Sequence, residues 1–204
     1  MLTLYYAPGA CSLAAHIVLE EGGEKYETQR LDLSKGEQRA EAYLKIHPQG
    51  RVPALRLDSG EAITENTAIL PYLGRRFGLW PKDPLAETRA LSLIGFFAAS
   101  VHPAHAHISR PERYATDTAH FPNIQETGRK SFHAYLQQVD RMLAGREWLS
   151  DSYSVLDPYA FTFYTWGLRR ELPVREMKNY TAFKDRMMQR PAVQRIVEDE
   201  KVKA

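Results

Sequence analysis

The only cysteine of the chain, Cys11, lies in the segment Tyr5-Tyr6-Ala7-Pro8-Gly9-Ala10-Cys11-Ser12-Leu13, where a short apolar strand runs into a helix. The first turn of a helix carries unpaired N–H groups and partial positive charge, which favour an anion and lower the pKa of a thiol held there. Three chemistries are open to this sulfur. It can lend an S–H donor or the helix-end field to a bound thiolate, become a thiolate and form a mixed disulfide, or pack as a small inert hydrophobe. Position 14 is alanine, so there is no Cys-x-x-Cys pair and no internal disulfide exchange. Tyr5 and Tyr6 are neighbours on the strand and face opposite ways. Tyr6, nearer the thiol in sequence, is expected to bring its hydroxyl to the site, and Tyr5 to pack in the core.

Other residues with chemical potential are scattered along the chain. Val52-Pro53 reads either as a trans proline closing a turn or as a cis bond in a deliberate one. Glu65-Asn66 opens a helix, where free N–H groups suit a carboxylate; an acidic helix cap explains the same letters. Lys35 sits in a polar loop. His102, His105 and His107 suggest a metal cluster at first sight. His102 and His105 can share a helical face, but His107 points elsewhere and no further cysteine or close carboxylate completes a tetrahedral set, so no metal is expected.

These residues must be positioned by ordered elements, and the composition permits them. The chain has 204 residues, 44% hydrophobic and 25% charged, enough for a substantial core and typical of a folded protein. Its 27 basic and 25 acidic residues leave a formal charge of +2 with no basic run, which argues against nucleic acid and for a small-molecule partner. No apolar stretch is long enough for a bilayer and the start lacks a signal-peptide pattern, so with one unpaired cysteine a cytoplasmic protein is expected.

Leu2 to Tyr6 reads as a strand, Ser12 to Glu21 as a helix stopped by Gly22-Gly23, and Tyr26 to Arg30 as a second strand. A weak helix reaching about Ile46 is followed by a hairpin, Ala54 to Leu57 and Glu61 to Ile63 around Asp58-Ser59-Gly60. A helix from about Glu65 to Phe77 completes a βαβ-ββα order, which is thioredoxin-like. Beyond it only helical periodicity is found, on stripes Leu91, Ile94, Ala98, Val101 and Ile124, Phe132, Tyr135, Val139, Leu143. Val155 to Leu168 is apolar nearly all round, as in a helix at the centre of a bundle. The expected organisation is α/β plus all-α: a thioredoxin-like domain over 1–77, a linker over 78–85 and a helical-bundle domain over 86–204.

With these motifs in view, the chain resembles a cytosolic glutathione transferase of the bacterial beta class, along its whole length. Tyr6-Ala7-Pro8-Gly9-Ala10-Cys11-Ser12-Leu13-Ala14 is similar to the start of that class, in which cysteine takes the place of a tyrosine or serine. Arg51-Val52-Pro53-Ala54-Leu55 resembles the family's cis-proline segment, Thr64-Glu65-Asn66-Thr67-Ala68-Ile69-Leu70 its glutamyl-binding motif, and Ser154-Val155-Leu156-Asp157 the cap of its buried helix.

The resemblance implies that the Val52 backbone pairs with the cysteinyl unit of glutathione beside a cis Pro53. The Asn66 N–H would take the glutamyl carboxylate, Glu65 its ammonium, and Lys35 the glycine carboxylate, with Gln49 and Arg51 as weaker candidates. His102 would donate toward the sulfur. Gly95 departs from the family's usual asparagine and puts a contact across a dimer in doubt. Glutathione is then the cosubstrate, its thiolate attacking a small apolar electrophile held by aromatics such as Phe97, Tyr114, Tyr164 or Trp166 in a homodimeric detoxification enzyme. Two rival readings remain open at this point. One is a glutathione-dependent thiol-disulfide reductase using Cys11, and the other is a non-catalytic interaction protein of the same fold.

Overall fold

The computed structural model describes residues 1–204. Four strands form one mixed sheet in the order β2-β1-β3-β4: β1 (Leu2–Tyr6), β2 (Tyr26–Arg30), β3 (Ala54–Arg56) and β4 (Ala62–Thr64). β1 runs parallel to β2 and antiparallel to β3, and β3 and β4 close the expected hairpin. Between β1 and β2 lies α1 (Ser12–Gly22), which ends on Gly23 with φ +68°, a left-handed C-cap that glycine adopts without steric cost. The weak helix is a 3₁₀ turn, Glu37–Arg39, followed by the short α2 (Glu41–Leu44). α3 (Asn66–Phe77) follows the hairpin.

This is the thioredoxin-like order, and only helices follow: α4 (Pro84–Phe96), α5 (His102–Ser109), α6 (Phe121–Met142), α7 (Leu156–Arg169), α8 (Lys178–Met188) and α9 (Pro191–Asp199). Asp83 caps α4 by accepting the Ala86 N–H, with Pro84 in the first turn. No helix is long and apolar enough to cross a membrane.

Alternation along β1 divides the core. Leu2, Leu4 and Tyr6 join a large cluster with α1 and α3 that continues without a break into α7 and α9, while Tyr5 packs with Tyr43, Val52 and Ala54 on the other face. α1 packs directly on α7 and α9, so the sheet and the helical part share one apolar interior. The centre is α7, whose residues from Leu156 to Gly167 are all buried. Its start is capped by Asp157, which accepts from the Leu149 N–H at 3.0 Å, the Ser154 N–H at 2.8 Å and the Ser154 hydroxyl at 3.3 Å.

One stripe departs from the periodic reading. Between α4 and α5 the backbone makes a π turn, Phe97–Val101, which inserts residues into the helical phase. Ala90, Ile94, Phe97 and Val101 face the core, Leu91 is left exposed, and Ala98 turns to a cavity.

Candidate active site

A cavity of about 640 Å³ opens between the Pro8–Cys11 loop, the Arg51–Pro53 turn, the start of α3 and the α5 region. A larger one, about 950 Å³, lies between Trp80, Leu93, Phe96, Met142, Leu149 and Tyr153, but no cysteine, histidine or glutamate lines it. The smaller cavity holds the chemistry: Cys11, Val52, Pro53, Glu65, Asn66 and His102 all line it.

Cys11 immediately precedes α1, and its Sγ donates to the Val52 carbonyl at 3.1 Å. Burial pushes the thiol up to about 12, against the smaller opposing effects of Arg110, the helix-end backbone N–H and Arg51, with Glu65 adding to the rise. The expected lowering by the helix end is thus overturned, because removing a thiolate from water outweighs the partial charge of one helix terminus. This cysteine is a neutral donor.

The Val52-Pro53 bond is cis. The Val52 N–H has no partner within the chain, whereas its carbonyl accepts from the Cys11 thiol. At the start of α3 the N–H groups of Asn66 and Thr67 are likewise unpaired, as the geometry of any helix start dictates. The Asn66 side chain reaches back, its Nδ2 donating to the Cys11 carbonyl at 2.9 Å while its Oδ1 is buried without a partner. Glu65, just ahead, has φ +69°. That conformation costs a non-glycine residue about 1–3 kcal/mol, and Glu65 so held lines the cavity beside these N–H groups.

Two expected site residues lie elsewhere. Tyr6 points to the opposite face of the sheet, its ring 5.0 Å from that of His16, and burial followed by Asp199 and Glu200 raises its hydroxyl pKa. Strand alternation is the cause: the face that Tyr6 shares with Leu2 and Leu4 is covered by α1 and α9, not by the cavity. Lys35 is well exposed and faces Asp32 at 3.6 Å; it is absent from the cavity wall, where Gln38, Arg39 and Arg51 stand instead.

His102 packs edge-on against Trp166 with ring centroids 5.0 Å apart, and His105 stacks on the same indole at 4.2 Å. Burial, then neighbouring arginines, pushes His102 down to about 4 and His105 to about 2, so both rings are neutral near pH 7. His107 packs instead against Tyr114. Of the aromatics expected to hold an electrophile, Phe97 and Tyr164 are fully buried core, while Tyr114 and Trp166 reach the cavity. The helical wall is not apolar: Arg110, Arg113, Arg169 and Arg170 stand on it.

Those arginines escape a sequence reading because they lie in two segments with no motif, and the only hint is Arg169-Arg170 at the end of an apolar helix. Gly9 joins the two walls. Its carbonyl accepts from Trp166 Nε1 at 2.9 Å and Arg169 Nη2 at 2.6 Å, and its N–H donates to Glu200 at 2.7 Å. A carboxylate 191 residues away leaves no local signal of that contact.

Comparison with known proteins agrees with this geometry. The profile of the glutathione S-transferase N-terminal domain matches residues 1–75. The chain is 31% identical over 199 residues to glutathione S-transferase GstA of Escherichia coli O157:H7, spanning 95% of this chain and 96% of the relative. Among solved structures, a glutathione transferase homologue from Sulfitobacter with bound glutathione superposes with a TM-score of 0.92 at 32% identity, covering 100% of this chain and 99% of that one. A sphingomonad glutathione S-transferase complexed with glutathione superposes at 0.86 and 33% identity, over 98% of this chain and 100% of that one. A thioredoxin-like sheet with a cis-proline turn, the cysteine loop against it and the full-length similarity together make this chain a member of the glutathione S-transferase family.

Proposed function

We propose that the protein binds glutathione extended along the Val52-Pro53 turn, stabilises its thiolate and conjugates it to a small electrophile held against the helical wall. The observation that carries this reading is the Val52 N–H, without an intrachain partner on the cavity wall between the cysteine loop and the start of α3. An extended peptide satisfies such a group as an added strand does. The free N–H groups of Asn66 and Thr67 suit the glutamyl carboxylate, and Glu65 suits its ammonium. Arg39 and Arg51, rather than Lys35, suit the glycine carboxylate.

A glutathione thiol with a pKa near 8.5 needs about 2.7 kcal/mol of differential stabilisation to become mostly thiolate at neutral pH. The His102 ring and the charge of Arg110 supply a donor and field for it, and the neutral thiol of Cys11 adds a second donor by turning from the Val52 carbonyl to the sulfur. The thiol proton leaves to solvent. The sulfur forms a bond to the electrophilic carbon, and the leaving group departs with its electron pair.

A Cys11 held as a buried thiol suits this role better than attack on a disulfide. Pairing into a homodimer, a cytoplasmic setting and a part in detoxification belong to the same proposal. Leu85 and Leu91, exposed on α4, favour the dimer, and sedimentation at about twice the 23.3 kDa chain mass is the expected result. Calorimetric titration with glutathione tests the whole: one tight site per chain is expected, and absence of binding removes the proposal.

A further inference from the structure

We propose that the electrophile of this site carries a carboxylate or another compact anionic group, gripped by Arg110 and Arg113 opposite the glutathione sulfur. The inference rests on the glutathione transferase reading and goes beyond it by naming the class of second substrate. Charge is the first argument. Six guanidiniums line the cavity against two carboxylates, Glu65 and Glu112, and the histidines on its wall, His47, His102 and His105, are all shifted toward the neutral form by burial. The walls thus carry four formal positive charges in excess. Glutathione as its thiolate brings two carboxylates, a sulfur anion and an ammonium, a net of two negative charges, and leaves the cavity cationic.

Pairing is the second argument. The arginine ion pairs of this chain lie elsewhere, at Arg75, Arg76, Arg190 and Arg195. Arg169 and Arg170 spend donors on the Gly9 carbonyl and on His105 Nε2. Arg110 and Arg113 make no side-chain hydrogen bond, and Arg110 Nε is buried without a partner. Like charges gathered at a partly desolvated wall with unspent donors are costly until an anion joins them, and a guanidinium fork matches a carboxylate in a bidentate pair.

Position is the third. Arg110 and Arg113 line the same cavity as Cys11 and His102, and the charge of Arg110 acts on Cys11, His102, His105, Arg113 and Arg170 at once. The glutathione contacts at Val52, Glu65 and Asn66 are on the opposite wall. Arg110 and Arg113 are therefore left for the molecule that meets the sulfur.

The test uses a matched pair of probes, a chloronitrobenzoate and its uncharged amide, titrated into enzyme saturated with S-methylglutathione so that no reaction intervenes. The carboxylate is expected to bind at least tenfold tighter than the amide. That preference should fall to near unity in Arg110→Gln and in Arg113→Gln, and stay within threefold of the starting value in Arg113→Lys. Conjugation of the two probes to glutathione should show the same ratio of kcat/KM. Equal binding of both probes, or a preference that survives both glutamine variants, overturns the inference. So does a tenfold loss of S-methylglutathione affinity in these variants, which would assign the arginines to the tripeptide itself and leave the transferase reading standing. Failure of glutathione to bind the unmodified protein sinks the parent reading instead.

Discussion

The carboxylate of Glu200 accepts the N–H of Gly9 at 2.7 Å, tying the end of the last helix to the loop that carries Cys11. Its other oxygen accepts from His16 Nδ1 at 2.7 Å, and both side chains are almost completely buried. Breaking a buried pair strands its partner, at a cost of about 3–5 kcal/mol. Glu200→Ala should lose stability on that scale in urea unfolding, and Glu200→Gln, which keeps one acceptor, should lose less. Because Gly9 lines the cavity, both should also weaken glutathione several-fold by calorimetry. An alanine variant within about 1 kcal/mol of the parent protein would remove Glu200 from this role.

Cys11 is a buried neutral thiol in this arrangement, and its reactivity should say so. With the thiol pushed up to about 12, alkylation by iodoacetamide at pH 8, followed by mass spectrometry, should be far slower than for an exposed cysteine. Cys11→Ala removes one donor to the sulfur, worth about 1–3 kcal/mol, so conjugation should fall by ten- to a hundredfold and not vanish. Complete loss of activity, with glutathione binding intact, would favour the reductase reading.

Asn66 tests the coupling between the two motifs that the sequence presents as separate. Its side chain donates to the Cys11 carbonyl, so Asn66→Ala should cost about 0.5–1.5 kcal/mol of stability while leaving the backbone N–H of residue 66 free for a carboxylate. Glutathione affinity is expected to fall less than tenfold. A loss of a hundredfold or more would mean that the amide side chain, not the backbone, holds the ligand.

What was legible in the chain and what was not divides along a physical line. Local patterns carried the fold: apolar alternation in Leu2–Tyr6, glycine stops, and the all-apolar run that becomes α7. The cysteine loop, Pro53, Glu65 and Asn66 line one cavity, a convergence that only the resemblance to the family implied, since each motif by itself also reads as a turn or a helix cap. Tyr6 went the other way because a neighbour in sequence on a strand is on the opposite face in space, and the faces differ only in what later packs on them. Which of the three states open to the Cys11 sulfur is populated was not legible, because burial, the largest influence on its pKa, is a tertiary quantity. Glu200 and the arginine wall depend on contacts across more than 50 residues, for which no spacing rule exists.

The last expectation concerns acid. His102 and His105 are held neutral, down to about 4 and about 2, and His47 is lowered as well, all chiefly by burial. Unfolding frees each ring to bind a proton near pH 6.5, so between pH 6.5 and about 4 the unfolded chain holds more protons than the native one. Stability is then complete above pH 6.5 and lost as pH falls, by about 1.4 kcal/mol per pH unit for each of His102 and His105, with His47 acting in the same direction. Asp157 acts in the opposite sense. Burial raises it to about 7 despite three hydrogen bonds, so from about pH 4 to 7 the native state holds the extra proton and stability falls as pH rises. The histidines outnumber it, and net acid sensitivity should be seen in urea unfolding between pH 6.5 and 5. His105→Phe should flatten that limb by the slope of one proton, whereas Asp157→Asn should steepen it by the same amount. An unchanged slope in the His105 variant would show that its ring titrates alike in the folded and unfolded chain.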